Sequence, residues 1–174
     1  RGEGARRADE GQSFAKDLPA RVSLSVDAER EKIAPLCFYR ALVQSGETAP
    51  VEAMISALKE QGLIPLPVFV SSLKDQVSVD TLRAIFSRFE PAVVVNVTGF
   101  AVSSPGAEHP STVLDETGAV VLQAIFSSSP RATWENSAQG LSARDLAMSV
   151  ALPEVDGRVL SRAVSFKSKA RFNE

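Results

Sequence analysis

The sequence predicts an α/β fold, an open and mostly parallel sheet with helices on both faces. Three observations carry the prediction. Apolar runs of strand length alternate with stretches of helical period from residue 33 to residue 166. One run, Ala92–Thr98, is a nearly unbroken series of valines, the pattern of a strand covered on both faces. Another, Ile64–Val70, contains Pro65 and Pro67, which cannot donate to a ladder and so belong at a sheet edge.

The elements follow in order. Residues 1–31 are polar and charged and read as an arm or linker, with a short strand possible at Val22–Val26. Ile33–Tyr39 is a short apolar run, the first buried strand. Thr48 and Pro50 then precede Val51, Met54, Ile55 and Leu58, which share one helical face, and Gly62 stops that helix. After the proline-bearing strand, Ser78 is the expected cap of a second helix. Its Leu82, Ile85, Phe86 and Phe89 repeat the same spacing, and Pro91 ends it.

The valine run is the third strand. Residues 100–118 have no helical period and read as a long loop, and Ala119–Phe126 is a fourth strand. Ser129-Pro130 opens a short helix through Trp134. Ser142 with Asp145 resembles a capping box for another helix to about Val150. Arg158–Phe166 alternates as a last strand, so that residues 32–169 make the domain and 170–174 a tail. This succession fits the flavodoxin-like strand order 2-1-3-4-5, in which the second strand is an edge and the third is interior.

Composition excludes several function classes. The 174 residues suffice for one domain with a proper core. A formal net charge of −2 argues against a dedicated nucleic-acid binder. No apolar run approaches the roughly 18 residues that span a bilayer. The single cysteine, Cys37, rules out an internal disulfide and sits in an apolar run, where a buried, inert thiol is expected. The single histidine, His109, rules out a His-based metal cluster. Such usage fits a reducing cytoplasm. The chain opens at Arg1 without a signal-peptide apolar region, as an internal piece of a longer protein would. No GxxxxGK[ST] loop is present and no GxGxxG opens a helix, so nucleotide hydrolysis is not expected in this segment.

A sheet of this order binds ligands beyond the carboxyl ends of its strands, near the switch between strands one and three. Those ends carry Tyr39-Arg40 and Thr98-Gly99-Phe100, and strand two ends in Ser71-Ser72 with Lys74 close by. Arg40 and Lys74 suit carboxylates or phosphates. Phe100 suits a ring. The plainer alternatives are an intramolecular ion pair for Arg40 and a core position for Phe100. Glu154 and Asp156 flank a turn within Pro153-Glu154-Val155-Asp156-Gly157; acidic pairs suit a hard cation, but this is also the composition of an ordinary surface turn. His109, beside Glu108, is expected in a solvated loop. Asn96 and Gln123 interrupt apolar strands, and buried amides must find partners, either in neighbouring loops or along the cleft. Asn96-Val97-Thr98 matches a glycosylation sequon, but inside a buried strand the match is empty. No acidic pair follows strand one and strand three ends without Asp, which excludes a receiver domain.

Several stretches together resemble a known family. They are Phe38-Tyr39-Arg40, Gly46-Glu47-Thr48-Ala49-Pro50, Leu66 to Lys74, Asn96 to Phe100 and Val121-Leu122-Gln123. The strongest runs from Gly140-Leu141-Ser142-Ala143-Arg144-Asp145 through Pro153-Glu154-Val155-Asp156-Gly157-Arg158 to Arg162-Ala163-Val164-Ser165-Phe166-Lys167. In this order, from about Ile33 to Lys167, the chain resembles the large-subunit family of aerobic cobaltochelatases. It is more loosely similar to the H subunit of magnesium chelatase, which shares the Pro-Glu-x-Asp-Gly turn, and Arg162 to Lys167 favours the cobalt branch. Asp115-Glu116-Thr117-Gly118-Ala119 departs from the family's Asp-x-Pro-Val pattern.

The resemblance implies an enzyme that inserts Co²⁺, as substrate, into hydrogenobyrinic acid a,c-diamide during aerobic cobalamin biosynthesis. It implies that ATP with Mg²⁺ is used by separate AAA+-type partner subunits while the large subunit binds the tetrapyrrole. The expected partners are the corrinoid, those ATPase subunits and the rest of the large subunit, with no nucleic acid and no membrane. No cofactor or metal-ligand set is expected in this segment. Metal insertion needs a group to accept the pyrrolic N–H protons. Glu154 is the candidate for that role, and Arg40, Lys74, Thr98 and Phe100 are the candidates for substrate contact. The alternative is a non-catalytic scaffold or docking domain of such a complex.

Overall fold

The computed structural model describes residues 32–103, 111–159 and 161–168. The expected arm with its strand at Val22–Val26, the Glu108–His109 pair and the tail at 170–174 lie outside the described residues.

Five strands form one sheet: β1 (Ile33–Tyr39), β2 (Ile64–Val70), β3 (Val93–Asn96), β4 (Val120–Pro130) and β5 (Ser161–Lys167). Every neighbouring pair is parallel and the order is β2-β1-β3-β4-β5, the order expected from the sequence. Pro65 and Pro67 sit opposite Ala34 and Leu36 on the edge strand, where a missing N–H costs the ladder least.

Side-chain alternation along β1 splits the core between the two faces of the sheet. Cys37 joins Val68, Val70, Val94 and Leu114 under α3 (Gln76–Arg88), which contributes Leu82 and Phe86. Leu36 and Phe38 join Val95 and Ala124 under α2 (Ala49–Glu60), which contributes Val51 with Met54, Ile55 and Leu58. Burying each such large side chain contributes about 1.5–3 kcal/mol. The apolar helical spacing read from the sequence is therefore the packing face of each helix, except that Phe89 lies past the end of α3 and outside its cluster.

The structure corrects several local readings. A short helix, α1 (Arg40–Gln44), follows β1 directly. The cap of α3 is Asp75 rather than Ser78: its Oδ2 accepts the Ser78 N–H at 3.0 Å and the Ser78 hydroxyl at 2.7 Å. A cap must sit two or three residues before the N–H it satisfies, and Asp75 does. Ser78 is instead buried, and its Oγ accepts the N–H of Ser71, tying the end of β2 to the helix. Thr48 occupies the cap position of α2, but its hydroxyl donates to Glu52 at 2.6 Å.

The stretch after residue 110 is ordered around a 3₁₀ turn at Asp115–Thr117, with Val113 and Leu114 buried. β4 runs on to Pro130 and leads into α4 (Arg131–Asn136), which extends beyond Trp134. Ser142 caps α5 (Ala143–Leu146), which continues through a π-helical turn, Ala147–Ala151, into α6 (Leu152–Val155). Only half of the expected capping box forms. The Asp145 carboxylate instead accepts the Ser127 hydroxyl at 2.7 Å and the Ser128 N–H at 3.0 Å. β5 starts at Ser161, three residues after the expected Arg158, which is buried ahead of the strand.

Candidate functional site

After β3 the chain leaves the sheet at the switch point between β1 and β3, and side chains take over from the ladder. The Asn96 carboxamide oxygen accepts the N–H and the hydroxyl of Thr98 at 3.2 and 2.9 Å. Its Nδ2 donates to Gln123 Oε1 at 2.8 Å, and Gln123 Nε2 donates to the Thr98 carbonyl at 2.8 Å. The two buried amides thus tie strand ends to the following loop, one of the two roles open to them from sequence. Tyr39 crosses from β1 and donates its hydroxyl to the Gly99 carbonyl at 2.9 Å. Burial pushes the Tyr39 phenol up, so it stays protonated as that donor.

The next residues are held by the turn at the end of α6. Asp156 accepts the N–H groups of Val102 and Ser103 at 2.7 and 2.8 Å. Arg158 donates to the Phe100 carbonyl at 2.6 Å, to the Thr98 carbonyl at 3.3 Å and to Asp156 at 2.7 Å. Both side chains are buried. Arg158 Nε is the one buried side-chain polar atom without a partner among the described residues. Burial pushes the Asp156 carboxyl up, but the N–H groups of Val102 and Ser103 and the guanidinium of Arg158 outweigh it. The carboxyl stays below its ordinary range.

The π turn completes the hold. Phe100 donates its N–H to the Met148 carbonyl at 3.0 Å. A Cβ added at Gly99 would lie 2.7 Å from that same oxygen, so only glycine permits the approach. Phe100 adopts φ 65°, an uncommon conformation for a large side chain, and leaves 55% of its surface exposed. Strained backbone of this kind concentrates at ligand sites, as do π turns.

The result is a cleft of about 530 Å³ at the carboxyl end of the sheet. Tyr39, Lys74, Phe100 and Ser103 line one part of it, and Leu152 and Val155 of α6 another. That volume lies in the range of small-molecule sites, roughly 300–1,000 Å³. Tyr39 also borders a second depression of about 240 Å³, which contains Arg40 and Gln44.

The structure brings Lys74 and Phe100 to the main cleft and puts Arg40 in the neighbouring depression. Arg40 and Lys74 are exposed, and neither forms an ion pair among the described residues. Phe100 is not a core residue. Thr98 requires correction as a substrate contact. It is wholly buried, with its hydroxyl, N–H and carbonyl all engaged, and supports the rim from below. Glu154 is exposed on α6 between two cleft-lining residues but does not itself line the cleft.

Sequence reasoning weighed Asp156 only as half of a cation-binding pair with Glu154 and gave Arg158 no role beyond opening the last strand, since Pro-Glu-Val-Asp-Gly has the composition of a surface turn. An available signal was the arginine itself, directly after a turn and at the supposed start of a strand. No group of three or more His, Cys, Asp or Glu among the described residues could hold a metal ion. No helix among them is long and apolar enough to cross a membrane.

An all-parallel 2-1-3-4-5 sheet with a cleft at its switch point and no phosphate-binding loop defines the class, a flavodoxin-like α/β domain with a cleft of ligand size. The sequence profile of the CobN/Magnesium Chelatase family matches residues 6–174, and the chain belongs to that family. It is 70% identical over 138 residues to the aerobic cobaltochelatase subunit CobN of Sinorhizobium sp, covering 79% of this chain and 11% of that protein. The aerobic cobaltochelatase subunit CobN of Pseudomonas aeruginosa is 42% identical over the same shares of each chain. The chloroplastic magnesium-chelatase subunit ChlH of Oryza sativa is 32% identical over 70% of this chain and 9% of that protein. The chain thus spans about a tenth of the length of the curated relatives it matches. No solved structure gives a significant match.

Proposed function

We propose that the chain is a segment of the large, tetrapyrrole-binding subunit of an ATP-dependent cobaltochelatase, and that its cleft helps to hold the corrinoid. The reaction is insertion of Co²⁺ into hydrogenobyrinic acid a,c-diamide in aerobic cobalamin biosynthesis. The observation that carries this reading is the 70% identity to a protein named as a cobaltochelatase subunit. The cleft supports it chemically, because a corrinoid combines an extended ring with peripheral carboxylates and amides.

In this reading the exposed Phe100 ring lies against the macrocycle and Lys74 pairs with a carboxylate at its edge. Arg40, beyond Tyr39, takes a second peripheral group. Glu154 accepts a pyrrolic proton when the metal enters, provided the ring extends past α6. A substituted corrin is larger than this cleft, so other parts of the large subunit complete the cavity. ATP and Mg²⁺ belong to the AAA+-type partner subunits, and cytoplasmic assembly follows from that arrangement.

The test is a titration of the chain with hydrogenobyrinic acid a,c-diamide, followed by corrinoid absorbance. A spectral shift is expected, weakened about tenfold by Lys74→Ala or Arg40→Ala, equivalent to about 1.4 kcal/mol each. Absence of any shift, together with retention of the ATPase subunits on a column carrying the chain, would replace corrinoid binding with a scaffold role. The chain alone is expected not to insert cobalt.

A further inference from the structure

We infer that Asp156 and Arg158 are positioning residues that set the width of the cleft and the attitude of Phe100. The inference rests on the cleft being the corrinoid site proposed above. Phe100 cannot hold itself in place. The residue is 55% exposed, and its backbone lies at φ 65°, where a large side chain gains nothing locally. What holds it, besides the Met148 carbonyl, is the turn after α6, 53 to 60 residues further along the chain.

The bonds are directional and shared. Asp156 fixes two rim N–H groups, those of Val102 and Ser103, and Arg158 fixes two rim carbonyls, those of Thr98 and Phe100. Asp156 is 3% exposed and Arg158 is 2% exposed. A buried ion pair is a poor source of stability compared with apolar residues of the same volume. An apolar pair, however, holds no backbone group in a chosen direction, whereas this one holds four. The same turn directly follows α6, whose Leu152 and Val155 also line the cleft. One carboxylate therefore links the Phe100 part of the cleft to the α6 part.

The experiment combines corrinoid absorbance titration with amide hydrogen exchange on the whole chain. Asp156→Asn and Arg158→Lys keep size and polarity. They are expected to unfold cooperatively, to speed exchange at Val102 and Ser103 at least tenfold, and to weaken hydrogenobyrinic acid a,c-diamide binding about tenfold. Val51→Ala, a truncation in the core cluster on the face of the sheet away from Val102, is expected to lower stability while leaving rim exchange and affinity unchanged. Because Asp156 acts through Phe100, Phe100→Ala combined with Asp156→Asn is expected to lose no more affinity than the more severe single variant. Asp156→Glu keeps the charge one methylene out of place and serves the same cycle should the Asn variant not fold.

Wild-type rim exchange in the Asp156 variants, additive losses in the cycle, or equal loss of affinity in Val51→Ala would each overturn the inference. If the wild-type chain gives no corrinoid shift, the binding reading fails separately. Exchange at Val102 and Ser103 then decides the clamp by itself, with faster exchange in Asp156→Asn supporting it and unchanged exchange ending it.

Discussion

The N–H of Phe100 donates to the carbonyl oxygen of Met148 at 3.0 Å, and Pro153 is the reason that oxygen is available. In the π-helical turn Leu152 donates to Ala147, so the next donor in register for Met148 would be residue 153. Proline has no N–H to give. Pro153→Ala restores a donor that competes for that carbonyl. Phe100 is then expected to lose a bond worth about 1 kcal/mol, seen as roughly fivefold faster exchange of its amide.

Gly99 passes so close to the same oxygen that a methyl group has no room, with the added Cβ at 2.7 Å. Both partners are backbone and cannot swing aside. Gly99→Ala is expected to lower the free energy of unfolding by about 1–3 kcal/mol, the usual cost of overpacking, measured by denaturant titration.

Asp145 is buried and joins α5 to the end of β4 through Ser127 and Ser128. Asp145→Ala leaves those donors unsatisfied and is expected to cost about 1–3 kcal/mol. Burial pushes the Asp145 carboxyl up, but hydrogen bonds from Ser127, Ser128 and Ser142 outweigh it and leave the carboxyl below its ordinary range. Asp156 behaves in the same sense. A carboxyl depressed by folding stabilises fully above its unfolded value, near 4, and loses that contribution as the pH falls through its folded value. The unfolding midpoint is therefore expected to show no loss from these groups between about pH 7 and 5 and to fall below about pH 4. The fall should be shallower in Asp145→Asn.

Cys37 is fully buried in β1, and burial pushes its thiol up to about 12. The reactive thiolate is then almost absent at pH 8. Thiol reagents are expected to leave the native chain unmodified and to label it once it is unfolded. Cys37→Ser puts a hydroxyl into an apolar cluster and is expected to cost about 1–3 kcal/mol.

Much of the fold was legible because its signals are local. Pro65 and Pro67 marked an edge, the valine run marked an interior strand, and the apolar spacing in α2 and α3 marked their packing faces. Boundaries were less legible. β3 stops at Asn96, two residues short of the expected end, because the Asn96 side chain captures Thr98. That competition between side chain and ladder has no periodic signature. For the candidate site, the rim position of Lys74 and Phe100 followed from strand order, while the burial of Thr98 did not.

By itself the sequence determined the family, the parallel strand order and the end of the sheet where a cleft would form. Those depend on residue type and short-range spacing, which the chain carries in plain view. Only the tertiary structure decided that Asp156 and Arg158 hold residues 98–103, that Arg40 and Lys74 occupy separate hollows beside Tyr39, and that Met148 offers its carbonyl to Phe100. Each of these joins groups distant along the chain through directional bonds, and direction in space is set only when the strands and helices have packed.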